Sequence, residues 1–140
     1  MKKILTICVV MMISLACSSN NQINNNKHKK LLIEGYFVGE RNVVCTLYKL
    51  DSAGNFIQEE KKNYRNGFIF SCEIGFTYVI QFTNKDLSTK FLLVEATVAD
   101  QYALDVDFTS TWSASLKHQG NGYSLHSINK EQSKTLFAQK

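Results

Sequence analysis

From Leu31 onward the chain alternates apolar and polar residues in short runs of period two, separated by turn formers, without the sustained spacing of an amphipathic helix. Leu31, Ile33 and Phe37 share one face of a first strand. Val43 to Leu50, VVCTLYKL, reads as a second, stopped at Asp51-Ser52-Ala53-Gly54-Asn55, where Gly54 and Asn55 tolerate positive φ. Phe56 to Tyr64 is so polar that it predicts an edge strand or a solvent-covered ribbon, and Glu59, Glu60, Lys61 and Lys62 on such an edge discourage pairing with other chains. Past the Asn66-Gly67 turn, Phe68, Phe70 and Cys72 point one way, and past Gly75 so do Tyr78, Ile80 and Phe82. Asn84-Lys85-Asp86 turns the chain into two further strands, Lys90 to Glu95 and Tyr102 to Thr109. In the latter, Leu104, Val106 and Phe108 alternate with Asp105 and Asp107, a half-buried pattern that puts the carboxylates in water. Thr111 to Leu116 and Tyr123 to His126, joined at Gln119-Gly120-Asn121-Gly122, predict an added hairpin. Asn129 to Lys140 reads as a polar tail in which Leu136 and Phe137 are the residues available for docking. The fold class is all-β, a single antiparallel β-sandwich of about seven strands with a C-terminal hairpin.

The first thirty residues follow other rules. Met1-Lys2-Lys3 is a short positive start, and Ile4 to Ala16 is apolar except for Thr6 and Ser14, the layout of a secretory signal peptide. The run is too short to cross a bilayer, which takes roughly 20 apolar residues. Cys17 follows Ala16 directly, and SLACSS resembles a bacterial lipoprotein box. The resemblance implies that the Cys17 thiol receives a diacylglycerol, that residues 1–16 are removed, and that the new amino terminus is acylated. The usual pattern has Leu three places before the cysteine; here Ser14 stands there and Leu15 follows, a looseness similar to lipoproteins of the Bacteroidetes. Residues 17–30 form the lipidated cysteine and an Asn/Ser-rich linker, SSNNQINNNKHKK after Cys17, too polar to build a core. As flexible coil it gives on the order of 20 Å of reach.

Residues 31–127 form the sandwich domain and 128–140 the tail. Within the domain, GYFVGERNVVCTLYKLDSAGNF, NGFIFSCEIGFTYVIQF, STKFLLVEA and YALDVDF are similar to transthyretin-like domains related to the carboxypeptidase regulatory domain. Such modules are mostly non-catalytic accessory or binding units, so the resemblance implies a structural or protein-binding role at the cell envelope, with the outer membrane as the expected site. A carbohydrate- or nutrient-binding surface lipoprotein is the alternative, and a phage- or prophage-encoded lipoprotein that modifies the host surface is another.

Charge and cysteine content narrow the picture further. Loss of residues 1–16 takes Lys2 and Lys3 with it, so the formal charge falls from +4 to +2. No basic run interleaves with aromatics in the manner of a nucleic-acid binder. Cys8 leaves with the leader and Cys17 carries lipid, so Cys45 and Cys72 are the candidates for a disulfide in an oxidising compartment. His118 and His126 flank the hairpin turn, but two histidines fall short of a zinc site; Asp100, Asp105 and Asp107 lack the glycine-turned loop that gathers calcium ligands. No GxSxG elbow or phosphate-binding loop is present, and the expectation is a non-enzyme with no cofactor. Tyr36, Tyr48, Tyr64, Tyr102, Trp112 and Tyr123 exceed what a small core needs, and Trp112 and Tyr123, in the hairpin region, are the candidates for partner contact.

Overall fold

The structure, a computed structural model, describes residues 29–109 and 113–137. The leader, Cys17 and Trp112 lie outside the described residues. Among the described residues, ten strands and one helix follow in chain order: β1 (Lys30–Val38), β2 (Val43–Leu50), β3 (Phe56–Tyr64), β4 (Gly67–Glu73), β5 (Phe76–Thr83), β6 (Thr89–Ala96), β7 (Asp100–Ala103), β8 (Val106–Asp107), β9 (Ser113–Gln119), β10 (Gly122–Ser127) and α1 (Lys130–Phe137). The larger sheet runs β10-β9-β6-β5-β2-β3; in the smaller, β1 lies between β4 on one side and β7 followed by β8 on the other. The inward residues of the two sheets meet as one core, and this is the all-β sandwich that the alternation predicts. At its centre the fully buried Phe82 of β5 lies 5.0 Å from Phe68 and 6.1 Å from Phe37, ring centre to ring centre.

The sandwich is not antiparallel throughout. After β6 the chain crosses to the small sheet, runs parallel to β1 as β7 and β8, and returns beside β6 as β9, again parallel. Parallel neighbours need a long crossover, and here strands of the opposite sheet supply it where an α/β protein would use a helix. The hairpin β9–β10 thereby extends the large sheet.

The strand predicted from Tyr102 to Thr109 is two strands, broken at Leu104 and Asp105 with the same pairing offset to β1 on both sides. The cause is a close approach of backbones. A Cβ placed on Gly35 would overlap the Leu104 carbonyl oxygen and sit 3.0 Å from Phe68 Cζ. At the break the Leu104 N–H still donates to Glu34 O (3.0 Å), and the Asp105 carboxylate takes the Tyr36 N–H (3.3 Å). Glycine inside a strand often marks such contacts.

The polar tail also departs from expectation, because its first residues form α1. Asn129 Oδ1 accepts the Gln132 N–H (2.8 Å) and Gln132 Oε1 accepts the Asn129 N–H (3.4 Å), a reciprocal cap. Glu131 in the first turn and Lys134 in the last suit the helix dipole.

Cys45 and Cys72, the pair that an oxidising compartment would allow to bridge, are both free buried thiols. Cys45 pairs with Phe82 across β2 and β5, and Phe82 packs on Phe68 of the other sheet. Cys72 lies further along β4 than Phe68 by four residues, about 13 Å at 3.3 Å per residue, whereas bridged Cα atoms sit roughly 4.4–6.8 Å apart. Burial pushes both thiols up from 9.0 to about 12, aided at Cys45 by the charge of Glu60. A thiol whose folded-state pKa is raised contributes stability that is fully present below about pH 9 and is lost as pH climbs toward 12. Urea unfolding should therefore show a falling midpoint above pH 9, and a thiol reagent should label both cysteines only in denaturant.

Candidate binding face

The inward direction of Leu31, Ile33 and Phe37 turns Leu32, Glu34, Tyr36 and Val38 of β1 to the outside of the small sheet. Ile69 of β4 and Ala103 of β7 both pair with Glu34 and share this outer face. Tyr36 is 69 % exposed, Ile69 53 % and Val38 49 %, an unusual grouping for the outside of a sheet. Two glycines shape it. Gly67 lies opposite Tyr36, and a Cβ there would come within 3.1 Å of the ring, so the tyrosine covers the backbone of β4. Gly35 admits the Leu104 carbonyl from the other side. The result is a shallow hollow of about 740 Å³ whose lining includes Glu34, Tyr36, Ile69, Leu104 and Asp105. Glu34 Oε1 accepts a 2.6 Å bond from Gln101 Nε2.

The chain enters the sandwich at the opposite end of β1. Lys30 pairs with Glu73, the last residue of β4, and the turns at 51–55, 74–75 and 120–121 gather at the same end. Lys49 there bonds Glu73 at 3.2 Å and lies 3.7 Å over the Phe76 ring. That lysine sits between an aromatic ring and a carboxylate, and both are satisfied internally.

Of the residues singled out in the sequence, Tyr123 has an internal task. Its hydroxyl accepts the N–H groups of Thr97 (3.0 Å) and Val98 (2.9 Å) and donates to Val98 O (2.8 Å), while its ring meets His118 at 5.2 Å. It locks the hairpin to the connection after β6. Trp112 lies outside the described residues. Tyr36 is the most exposed of the six tyrosines, all of them described, and the parity of β1 already sends it to solvent.

Chemistry elsewhere is sparse. Register puts His118 on the core side of the hairpin, opposite Tyr123, and His126 on the outer side, opposite Ser115. Among the described residues no group of three or more His, Cys, Asp or Glu is gathered to hold a metal. A groove of about 700 Å³ beneath α1 includes Lys117, His126 and Gln132, and His126 Nε2 lies 2.9 Å from Ser124 Oγ. No carboxylate of the described residues orients that imidazole, so the pair lacks the third member of a nucleophile relay. Lys90, on the core side of β6, is 7 % exposed; burial lowers its pKa, opposed by the charge of Asp107. The Asp107 carboxyl is in turn held low, first by the Thr109 hydroxyl (2.7 Å) and then by the Thr109 amide (2.9 Å).

No protein-family model matches the chain, and no curated protein is significantly similar to it. Among solved structures it is similar to one described as the "NMR structure of the protein from Eubacterium rectale", at 9 % identity over 74 % of this chain and 92 % of that one. The TM-score is 0.28, a level that carries no argument about fold or function.

Proposed function

We propose that this chain is an exported protein, held at the cell envelope through lipid on Cys17, whose sandwich is a non-catalytic accessory module that binds a protein partner. The observation that carries the binding role is that Tyr36, Val38 and Ile69, each about half exposed or more, share the outer face of the small sheet, whereas the other exposed large apolar residues, Ile57, Phe76, Leu87, Val98 and Leu125, are on other segments of the chain. The anchor rests on the basic start, the apolar run to Ala16 and the junction cysteine. Two or more acyl chains, at about 0.8 kcal/mol per buried methylene, hold a protein at a bilayer durably. The transthyretin-like, carboxypeptidase-regulatory-like relationship and the outer-membrane location belong to this proposal. A glycan-binding role is the second reading, favoured by the flat, solvent-facing ring of Tyr36 beside polar groups.

Metabolic labelling with palmitate tests the anchor. The wild-type chain takes up label and fractionates with membranes, and Cys17→Ser abolishes both. Equal labelling of the two would refute lipidation at this residue.

A further inference from the structure

We propose that the Tyr36 hollow receives a cationic side chain, arginine or lysine, presented by a protein partner next to an apolar residue. The inference rests on the binding role above and names the chemistry of the partner. Tyr36 lies against the backbone at Gly67 and is still 69 % exposed, so much of its ring is open to a visitor. An aromatic face carries negative charge density and attracts cations. Glu34 and Asp105 line the same hollow. Both accept hydrogen bonds from neutral donors, Gln101 Nε2 and the Tyr36 amide, and among the described residues neither is in an ion pair. Two carboxylates and a π face thus line one shallow site together with the exposed Ile69, and the exposed Val38 follows two residues beyond Tyr36 on the same face of β1.

The fold contains its own precedent. At the Lys30 end of β1, Lys49 lies over the Phe76 ring at 3.7 Å and bonds Glu73 at 3.2 Å, completing the combination of ring, carboxylate and cation within the chain. At Tyr36 the ring and the carboxylates stand together and the cation comes from a partner. Arginine suits the site best, because its planar fork can stack on the ring while donating two bonds to one carboxylate. A neutral sugar would use the ring and leave both charges without a counter-charge.

The test uses the mature polypeptide with Cys17→Ser, labelled with nitrogen-15 and titrated with the blocked peptide Gly-Leu-Arg-Leu-Gly. Its glutamate counterpart and an N-acetylglucosamine oligomer are run alongside. The expected result is a saturable shift of the Glu34, Tyr36, Ile69 and Asp105 amides with the arginine peptide alone. Raising salt to about 0.5 M weakens it roughly tenfold, since the charges are exposed to screening. Glu34→Gln and Asp105→Asn, which keep the hydrogen-bond geometry, each weaken binding by about threefold to tenfold, as does Tyr36→Leu. Shifts elsewhere only, equal shifts with the glutamate peptide, or unchanged binding in the charge variants would overturn the proposal. A salt-insensitive response to the oligomer at these amides would assign the face to carbohydrate instead. Because the titration is read on unlipidated chain, its failure removes the cationic partner without touching the anchor, which palmitate labelling decides.

Discussion

Gly35→Ala lowers the stability of the sandwich by about 3 kcal/mol or more, placing it among the severe single substitutions. The methyl group would occupy the position of the Leu104 carbonyl oxygen, and with Phe68 Cζ at 3.0 Å there is no room to shift sideways. Relief requires β1 to part from the junction of β7 and β8, where the Leu104 amide bonds Glu34 and the Asp105 carboxylate bonds the Tyr36 amide. The same displacement would flatten the hollow at Tyr36. Thermal unfolding read by circular dichroism should fall by roughly 10 °C or more, whereas Ser52→Ala, in an exposed turn, should move it little. A melting point for Gly35→Ala within a degree or two of wild type would mean that the two backbones do not approach as described.

Phe82→Ala costs about 3–5 kcal/mol, the usual range for emptying a large aromatic site in a core. Phe82 is fully buried, and its ring joins β5 of the large sheet to Phe37 and Phe68 of the small one. Since total stability for such domains is commonly about 5–15 kcal/mol, this loss leaves a marginal or unfolded chain at body temperature. Phe82→Leu, which refills most of the volume, should recover a large share of it. Urea denaturation followed by Trp112 fluorescence or circular dichroism measures both variants. A loss below about 1 kcal/mol for Phe82→Ala would show that the two sheets are not joined through this residue.

The alternation of apolar residues was enough to read β1, β2, β4, β5, β6 and the hairpin, whose residues divide between a drier and a wetter side, whereas β3, exposed along nearly its whole length, was legible from its polarity alone. Phe68, Phe70 and Cys72 face inward on β4 as their spacing predicts, and Phe56 to Tyr64 is the charged edge strand β3. Alternation is silent about direction, so the parallel placements of β7, β8 and β9 could not be read from it. It also does not register a backbone collision. Leu104, Val106 and Phe108 alternate correctly, yet the strand breaks because Gly35 lets a carbonyl in. In the tail, Asn129 and Gln132 carry a capping signal three residues apart that polar composition obscured.

The candidate site divides in the same way. Tyr36 and Val38 were outward by parity, but the closeness of Tyr36 to Ile69 and Asp105 depends on which strands neighbour β1, which is a tertiary fact. Tyr123 was a candidate for partner contact by its place in the hairpin, and only the folded connection at Thr97 and Val98 shows that its hydroxyl is occupied within the chain. For the cysteines, an oxidising compartment would make a bridge chemically permissible, and their separate heights in the core keep both thiols free.

Intact-mass spectrometry of the polypeptide extracted from native membranes tests the envelope assignment most directly. The account predicts a chain that starts at Cys17 and carries the added mass of a diacylglycerol, with or without a further acyl group on the amino terminus. An unmodified Cys17, or a chain that still retains residues 1–16, would contradict it.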